Sequence, residues 1–153
     1  IRWARRDIKT TNLLGQVMAK QAAHDAGAYE ALMIDADGFV TEAGSSSFFF
    51  IKDRSLYVRP VSNEILHGIT RQTMLRVAAA HQLRIVETIY TLDQAKQADE
   101  AFITAASIYV MPVGRIDDVQ IGDGQTGAIT STLRTAYLET ARAEFPSFNS
   151  LLR

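Results

Sequence analysis

Apolar residues return at two different spacings along this chain, and the changes between those spacings predict its elements. Leu13, Leu14, Val17 and Met18, continued by Gln21 and Ala22, fall at helical spacing, which predicts a helix over 12–26. Gly27 stands where a left-handed glycine closes such a helix. Residues 1–8 read as a strand ahead of it, with Lys9-Thr10-Thr11 as the turn between. Segments 29–34 and 39–41 flank Asp35-Ala36-Asp37-Gly38, and segments 47–52 and 55–59 flank Asp53-Arg54; both patterns signal hairpins. A second helix opens at Gly68-Ile69-Thr70 and carries Met74, Leu75, Val77, Ala78 and Ala79 on its apolar side. Beyond it the pattern predicts a strand over 84–90, a short helix over 92–97, and a strand over 101–104 that runs into small residues. A strand over 109–116, a turn-rich loop over 122–127 and an amphipathic helix over 128–143 complete the chain. Strands outnumber helices and hairpins join several of them. The fold class is therefore α+β (mixed α/β), not a doubly wound parallel sheet.

Composition narrows this picture little. At 153 residues the chain has the length of one domain, and its 47% hydrophobic and 22% charged residues are ordinary for a globular protein. Sixteen basic against seventeen acidic residues leave a net charge of -1, so nothing points to nucleic acid or an anionic membrane surface as partner. No apolar run reaches membrane-spanning length. With no cysteine the chain has no disulfide, no thiolate metal ligand and no catalytic thiol, and cytoplasm is the default expectation. The chain opens on Ile1 inside an expected strand, which reads as a piece of a longer protein.

Four places carry candidate chemistry. Lys9 lies between a strand end and a helix start, where a lysine is ordinarily a solvated cap residue. Read chemically, it is an amine able to form an imine with an aldehyde cofactor, provided it is partly withdrawn from water. Glu42 heads Ala43-Gly44-Ser45-Ser46-Ser47; the bland account is a polar loop between strands, the sharper one a carboxylate beside a flat heterocycle, holding a ring nitrogen protonated. Leu66-His67-Gly68-Ile69-Thr70-Arg71 runs into a helix whose free N–H groups and positive dipole end suit a phosphate, although Thr70 could simply cap its own helix. Thr104-Ala105-Ala106-Ser107 ends a strand in small residues and could add phosphate donors. The match of Gly122-Asp123-Gly124-Gln125-Thr126-Gly127 to GxGxxG lacks the following strand and acidic residue of a dinucleotide site, and reads as a tight turn. His24, His67 and His81 have no metal-ligand spacing, and no GxSxG elbow supports a hydrolase.

In order, these pieces resemble a known family. Arg6-Asp7-Ile8-Lys9-Thr10-Thr11-Asn12-Leu13-Leu14, then Gly27-Ala28-Tyr29-Glu30-Ala31, Val40-Thr41-Glu42 and Ile65-Leu66-His67-Gly68-Ile69-Thr70-Arg71 are similar to the class IV (fold-type IV) pyridoxal-phosphate aminotransferases, with the D-amino-acid transaminases nearest in pattern. Phe102-Ile103-Thr104, Met111-Pro112-Val113 and Ile121-Gly122-Asp123-Gly124 extend the likeness over nearly the whole chain.

The resemblance implies the lysine-bearing C-terminal domain of that fold, a mixed sheet or pseudo-barrel with flanking helices, spanning 1–153 and without the family's N-terminal small domain. It implies pyridoxal 5'-phosphate as cofactor, with Lys9 as the Schiff-base lysine and proton shuttle at substrate Cα, and Glu42 on the pyridine nitrogen. Leu66 would pack on the ring face, and Ser45 and Ser46 would lie beside the ring. Gly68, with the backbone of Ile69 and Thr70, and Ala105 and Ala106 on the second loop, would hold the phosphate. It implies transamination between an amino acid, D-alanine first, and a 2-oxo acid, by a homodimer. Branched-chain substrates and the lyase reaction on aminodeoxychorismate are alternatives on the same fold, and an inactive binding or assembly domain is the alternative of another class. Ser47 stands where relatives often have asparagine, and Ala105-Ala106 where some place a threonine hydroxyl on the phosphate.

Overall fold

The computed structural model describes residues 5–11 and 13–144. At its centre is a five-stranded mixed sheet. β3 (Ser47–Lys52) lies in the middle, antiparallel to β4 (Ser55–Val58) on one side and to β6 (Glu100–Ala105) on the other. β5 (Arg84–Glu87) extends the β4 side in parallel, and β7 (Tyr109–Pro112) the β6 side antiparallel. Two two-stranded ladders flank this sheet, β1 (Leu32–Ile34) with β2 (Val40–Ala43), and β8 (Arg115–Ile116) with β9 (Val119–Gln120). Among the described residues there are four helices: α1 (Leu14–Asp25), α2 (Ile69–Ala80), α3 (Leu92–Lys96) and α4 (Ala128–Glu144). The α+β expectation holds.

Both faces of β3 are covered, which is why it reads as a continuous apolar run rather than an alternation. Phe48 and Phe50 point to one side with Tyr90 and Ile103; Phe49 and Ile51 point to the other, beneath Met74 of α2 and Leu133 of α4. Phe49 is fully buried and stacks on Phe102 at 5.0 Å, so truncating it to alanine would cost about 3–5 kcal/mol. The Asp53-Arg54 turn has both residues at positive φ, 48° and 56°, the conformation of a two-residue hairpin turn that follows the sheet's twist. Gly38 (φ 86°) makes the other hairpin turn, where Asp35 Oδ1 accepts from the backbone N–H of Asp37 and Phe39.

Three expectations need correction. Residues 1–4 lie outside the described part, and residues 5–8 form a turn rather than a strand: Ile8 N–H returns to the Arg5 carbonyl at 3.2 Å, while Arg6 and Asp7 donate to the Asn63 carbonyl. The strand expected over 109–116 is broken, because Pro112 ends β7 and Gly114 passes so close to Gly124 that a Cβ there would meet its carbonyl oxygen at 2.5 Å. The face of α1 that periodicity marks as apolar is exposed: Leu14, Val17 and Met18 are 57–60% accessible, and the helix buries Gln16 and Ala23 instead. α1 does close as expected, with Gly27 (φ 73°) inside a paired motif in which Ala28 donates to Ala23 and Gly27 to His24.

Candidate active site

Register brings the site together. Ser47 of β3 pairs with Thr104 of β6, so the Gly44–Ser46 turn that precedes β3 stands beside the Ala105–Ala106 loop that leaves β6. Glu42, at the end of β2, accepts a hydrogen bond from the Leu66 backbone N–H at 2.8 Å, which draws the 66–68 loop and the start of α2 onto the same corner. The segment carrying Lys9 is held there by the two bonds to Asn63 and by a contact from the Arg6 guanidinium to the Thr41 hydroxyl of β2.

The result is a cavity of about 570 Å³. Lys9, Glu42, Ser45, Ser46, Leu66, Gly68, Ile69, Thr70, Ala105 and Ala106, all ten residues singled out in the sequence, line it. Glu42 is 8% exposed, a carboxylate withdrawn from water with a backbone donor on one oxygen. Lys9 is exposed, so the desolvation that a nucleophilic amine needs is not supplied by the residues around it here.

Thr70 does not cap α2. Gly68 is the N-cap residue and gives no side-chain cap; Thr70 is already the second helical residue, and the first turn has no acidic side chain. The helix's opening N–H groups have no intrahelical acceptor, and positive dipole and donors are left at the cavity wall. At the start of α4, after the GxGxxG segment, the opposite holds. Glu100 accepts there from Ile129 N–H at 3.0 Å and Thr130 N–H at 2.7 Å, and Gly127 packs where a Cβ would strike its carboxylate. A protein carboxylate already sits where a nucleotide phosphate would bind, so that segment is a turn.

Ser45 and Ser46 part company. The Ser45 hydroxyl donates to Glu30 at 2.8 Å and accepts from Lys20 at 3.0 Å, a strut tying α1 to the approach to β1. Ser46 Oγ is buried without a protein partner, as are Thr104 Oγ1, Gln16 Oε1 and Arg71 Nε, all from residues on the cavity wall. Gln16, Lys20, Thr104 and Arg71 escaped the sequence reading as site residues. Thr104 and Arg71 belong to motifs already noticed but were not singled out there; Gln16, a polar residue one turn after Leu13, carries no local signal of burial. Among the described residues no His, Asp and Glu cluster could hold a metal ion, and no helix is long and apolar enough to cross a membrane.

Known proteins resemble this chain in sequence and fold. A family model described as amino-transferase class IV matches residues 1–116. The D-alanine aminotransferase of Listeria monocytogenes serotype 4b is 41% identical over 139 residues, covering 91% of this chain and 48% of that protein. That of Bacillus licheniformis is 42% identical over 144 residues, covering 94% and 50%. The chain thus spans about half the length of the curated relatives it matches. Among solved structures, a T.th. branched-chain amino acid aminotransferase with pyridoxamine 5'-phosphate superimposes with a TM-score of 0.85 at 33% identity, over 97% of this chain and 52% of that one. A holo, PLP-form branched-chain aminotransferase from Thermobaculum terrenum gives 0.83 at 28% identity, over 90% and 48%.

Proposed function

The chain belongs to the class IV aminotransferases, and on that premise we propose that it carries the cofactor-binding part of a transaminase moving an amino group between an amino acid, D-alanine first, and a 2-oxo acid. The observation that carries this reading is the convergence of Lys9, Glu42 and the uncapped start of α2 on one cavity. The donor set fits pyridoxal 5'-phosphate: an amine for the aldehyde, a buried carboxylate for the ring nitrogen, and open backbone N–H groups for the phosphate. The buried, unpartnered hydroxyls of Ser46 and Thr104 belong to the same wall and suit a polar ligand.

When bound, that cofactor supplies an aldehyde that takes up the amino group and a ring that draws electron density from the substrate Cα. Lys9 would hold the cofactor through its amine and would move the proton at the substrate Cα. Glu42, already bonded to Leu66 N–H, keeps the proton on the pyridine nitrogen. Leu66, on the cavity wall, would pack on the ring face. Ile69 and Thr70 present backbone N–H groups to the phosphate across Gly68, and Ala105 and Ala106 offer backbone alone where a hydroxyl is missing. Ser46 would lie beside the ring, while Ser45 holds the turn through Lys20 and Glu30. The domain is one of two in the whole protein, a cytoplasmic homodimer in this reading, in which a second surface covers Leu14, Val17 and Met18.

The D-alanine aminotransferases among the relatives support the D-amino-acid choice. The likeness to branched-chain aminotransferases supports a second reading, with branched-chain amino acids as substrates. Rates for D- and L-amino acids with 2-oxoglutarate separate the two: D-alanine is expected to be fastest, and preference for L-leucine would favour the second reading. No turnover by any pair, with no visible absorbance change on adding cofactor, would leave an inactive binding domain.

A further inference from the structure

A second, far smaller hollow lies behind Glu42. It measures about 10 Å³, and its wall includes Thr41, Glu42, Ser47, Arg59 and Arg71. Glu42, Ser47 and Arg71 line this hollow and the large cavity alike, so they form the partition between the two. Space of that size holds one water and nothing larger, and a buried water needs two to four polar partners.

The guanidinium of Arg71 supplies the reason for a water. Arg71 is 3% exposed. Its Nη2 donates to the Arg59 carbonyl at 2.9 Å and reaches Glu87 at 3.3 Å, but its Nε is buried with no protein partner. A buried, charged donor left unsatisfied is among the costlier defects a fold can carry. Arg59 does not need the space: its guanidinium donates to the Val40 carbonyl at 2.9 Å, to Asp35 at 3.0 Å and to Glu64. The spare donor on this wall is Arg71's, and Glu42 is the carboxylate on the same wall.

We propose that one ordered water fills this hollow, accepting from Arg71 Nε and donating to the Glu42 carboxylate, and that Arg71 is thereby a positioning residue for Glu42. The inference rests on the reading that Glu42 serves the cofactor ring nitrogen, and deepens it. Leu66 N–H and the water together fix how the carboxylate faces the cavity. Arg71 sits in the first turn of α2, so a single helical turn orients the carboxylate with a side chain and offers backbone donors at the other end of the site. The charged or titratable groups that line the two hollows with Glu42 are Lys9, Lys20, Arg59, His67 and Arg71. Of these, Arg71 alone combines near-complete burial with an unspent donor.

Two measurements on the cofactor-free protein test this. A crystal structure that resolves buried water is expected to show one molecule within hydrogen-bonding distance of both Arg71 Nε and a Glu42 oxygen; an empty hollow, or a water bonded to neither, overturns the proposal. An infrared titration of the Glu42 carboxyl, assigned by its loss in Glu42→Gln, is expected to move up by about one pH unit or more in Arg71→Gln, because the water loses its donor and the carboxylate its nearby cation. An unchanged midpoint in a folded Arg71→Gln overturns it too, and if that variant does not fold, the crystal structure of the unaltered protein decides alone. Neither readout involves the cofactor, so a chain that holds the water yet binds no pyridoxal phosphate would sink the proposed function and leave only the water bridge between Arg71 and Glu42 standing.

Discussion

Placing an aspartate at position 68 should make the protein more stable and its cofactor site worse. Gly68 is the N-cap of α2 at φ −66°, ψ 138°, a conformation open to any residue, and the helix has no side-chain cap. A Cβ added there would meet nothing closer than the Ser47 hydroxyl at 3.8 Å, an ordinary contact, so Gly68→Asp introduces no clash. The new carboxylate can accept from Thr70 or Arg71 N–H. An aspartate cap in place of glycine is worth a few tenths of a kcal/mol, and its charge at the dipole's positive end adds about 0.3–1 kcal/mol. The sum of about 1 kcal/mol corresponds to a rise in Tm of roughly 2–4 °C for a chain of this length. The same carboxylate occupies the donors proposed for the phosphate and repels it. Two unit charges ~4 Å apart at an effective dielectric constant of ~20 cost about 4 kcal/mol. Discounted for exposure to about 3 kcal/mol, that weakens cofactor binding about 100-fold. Thermal denaturation followed by circular dichroism reads the first effect, and titration with pyridoxal 5'-phosphate the second. Gly68→Ala controls for bulk, with stability slightly reduced and affinity within about threefold of the parent. A Gly68→Asp protein that melts higher but binds the cofactor as the parent does would show that these N–H groups do not hold the phosphate.

Other consequences follow from the same geometry. Glu100→Ala removes the two carboxylate bonds that fix the start of α4 and should cost about 2 kcal/mol in urea unfolding; a loss under about 0.5 kcal/mol would mean that Glu100 does not cap that helix. Gln82 closes α2 in the left-handed region at φ 59°, where Leu83 donates back to Ala78, so Gln82→Gly should raise stability by about 1 kcal/mol; destabilisation would mean that the side chain makes a contact outweighing its backbone strain. Burial pushes the Asp35 carboxyl up, but the Phe39 backbone N–H and the Arg59 guanidinium outweigh it and hold the group below its ordinary value. Its stabilisation is therefore full above the unfolded carboxylate's pKa of about 3.9 and is lost as pH falls through the lower folded value. Acid unfolding of Asp35→Asn should consequently depend less steeply on pH in that range than the parent's, and identical slopes would remove Asp35 from the account.

Much of this molecule was legible because its signals are local. Asp35-Ala36-Asp37-Gly38 and Asp53-Arg54 build their hairpins from the turn residues' own conformations, and Thr91 with Gln94 forms a capping box four residues long. The site's ten residues were reachable through the family resemblance, whose motifs lie mostly near the ends of elements, and the Ser47–Thr104 register brings two of those ends together. What stayed hidden depends on partners distant in sequence. Nothing near Glu100 announces that it caps a helix about thirty residues on, and nothing near Arg59 announces that it will be buried beneath Val40 and Asp35. The apolar stripe of α1 shows the limit from the other side, since periodicity marks a face that wants cover but does not say what covers it. Residues 5–8 failed as a strand because the pairing they meet is the Asn63 carbonyl rather than a neighbouring strand.

In this cavity the amine at position 9 is the one proposed to reach a pyridoxal aldehyde. Borohydride reduction of the protein mixed with one equivalent of pyridoxal 5'-phosphate, followed by peptide mapping, tests it most directly. A stable phosphopyridoxyl group is expected on Lys9, lost in Lys9→Ala and weakened in Glu42→Gln. Label spread over Lys20, Lys52 and Lys96 with Lys9 unmodified would contradict it.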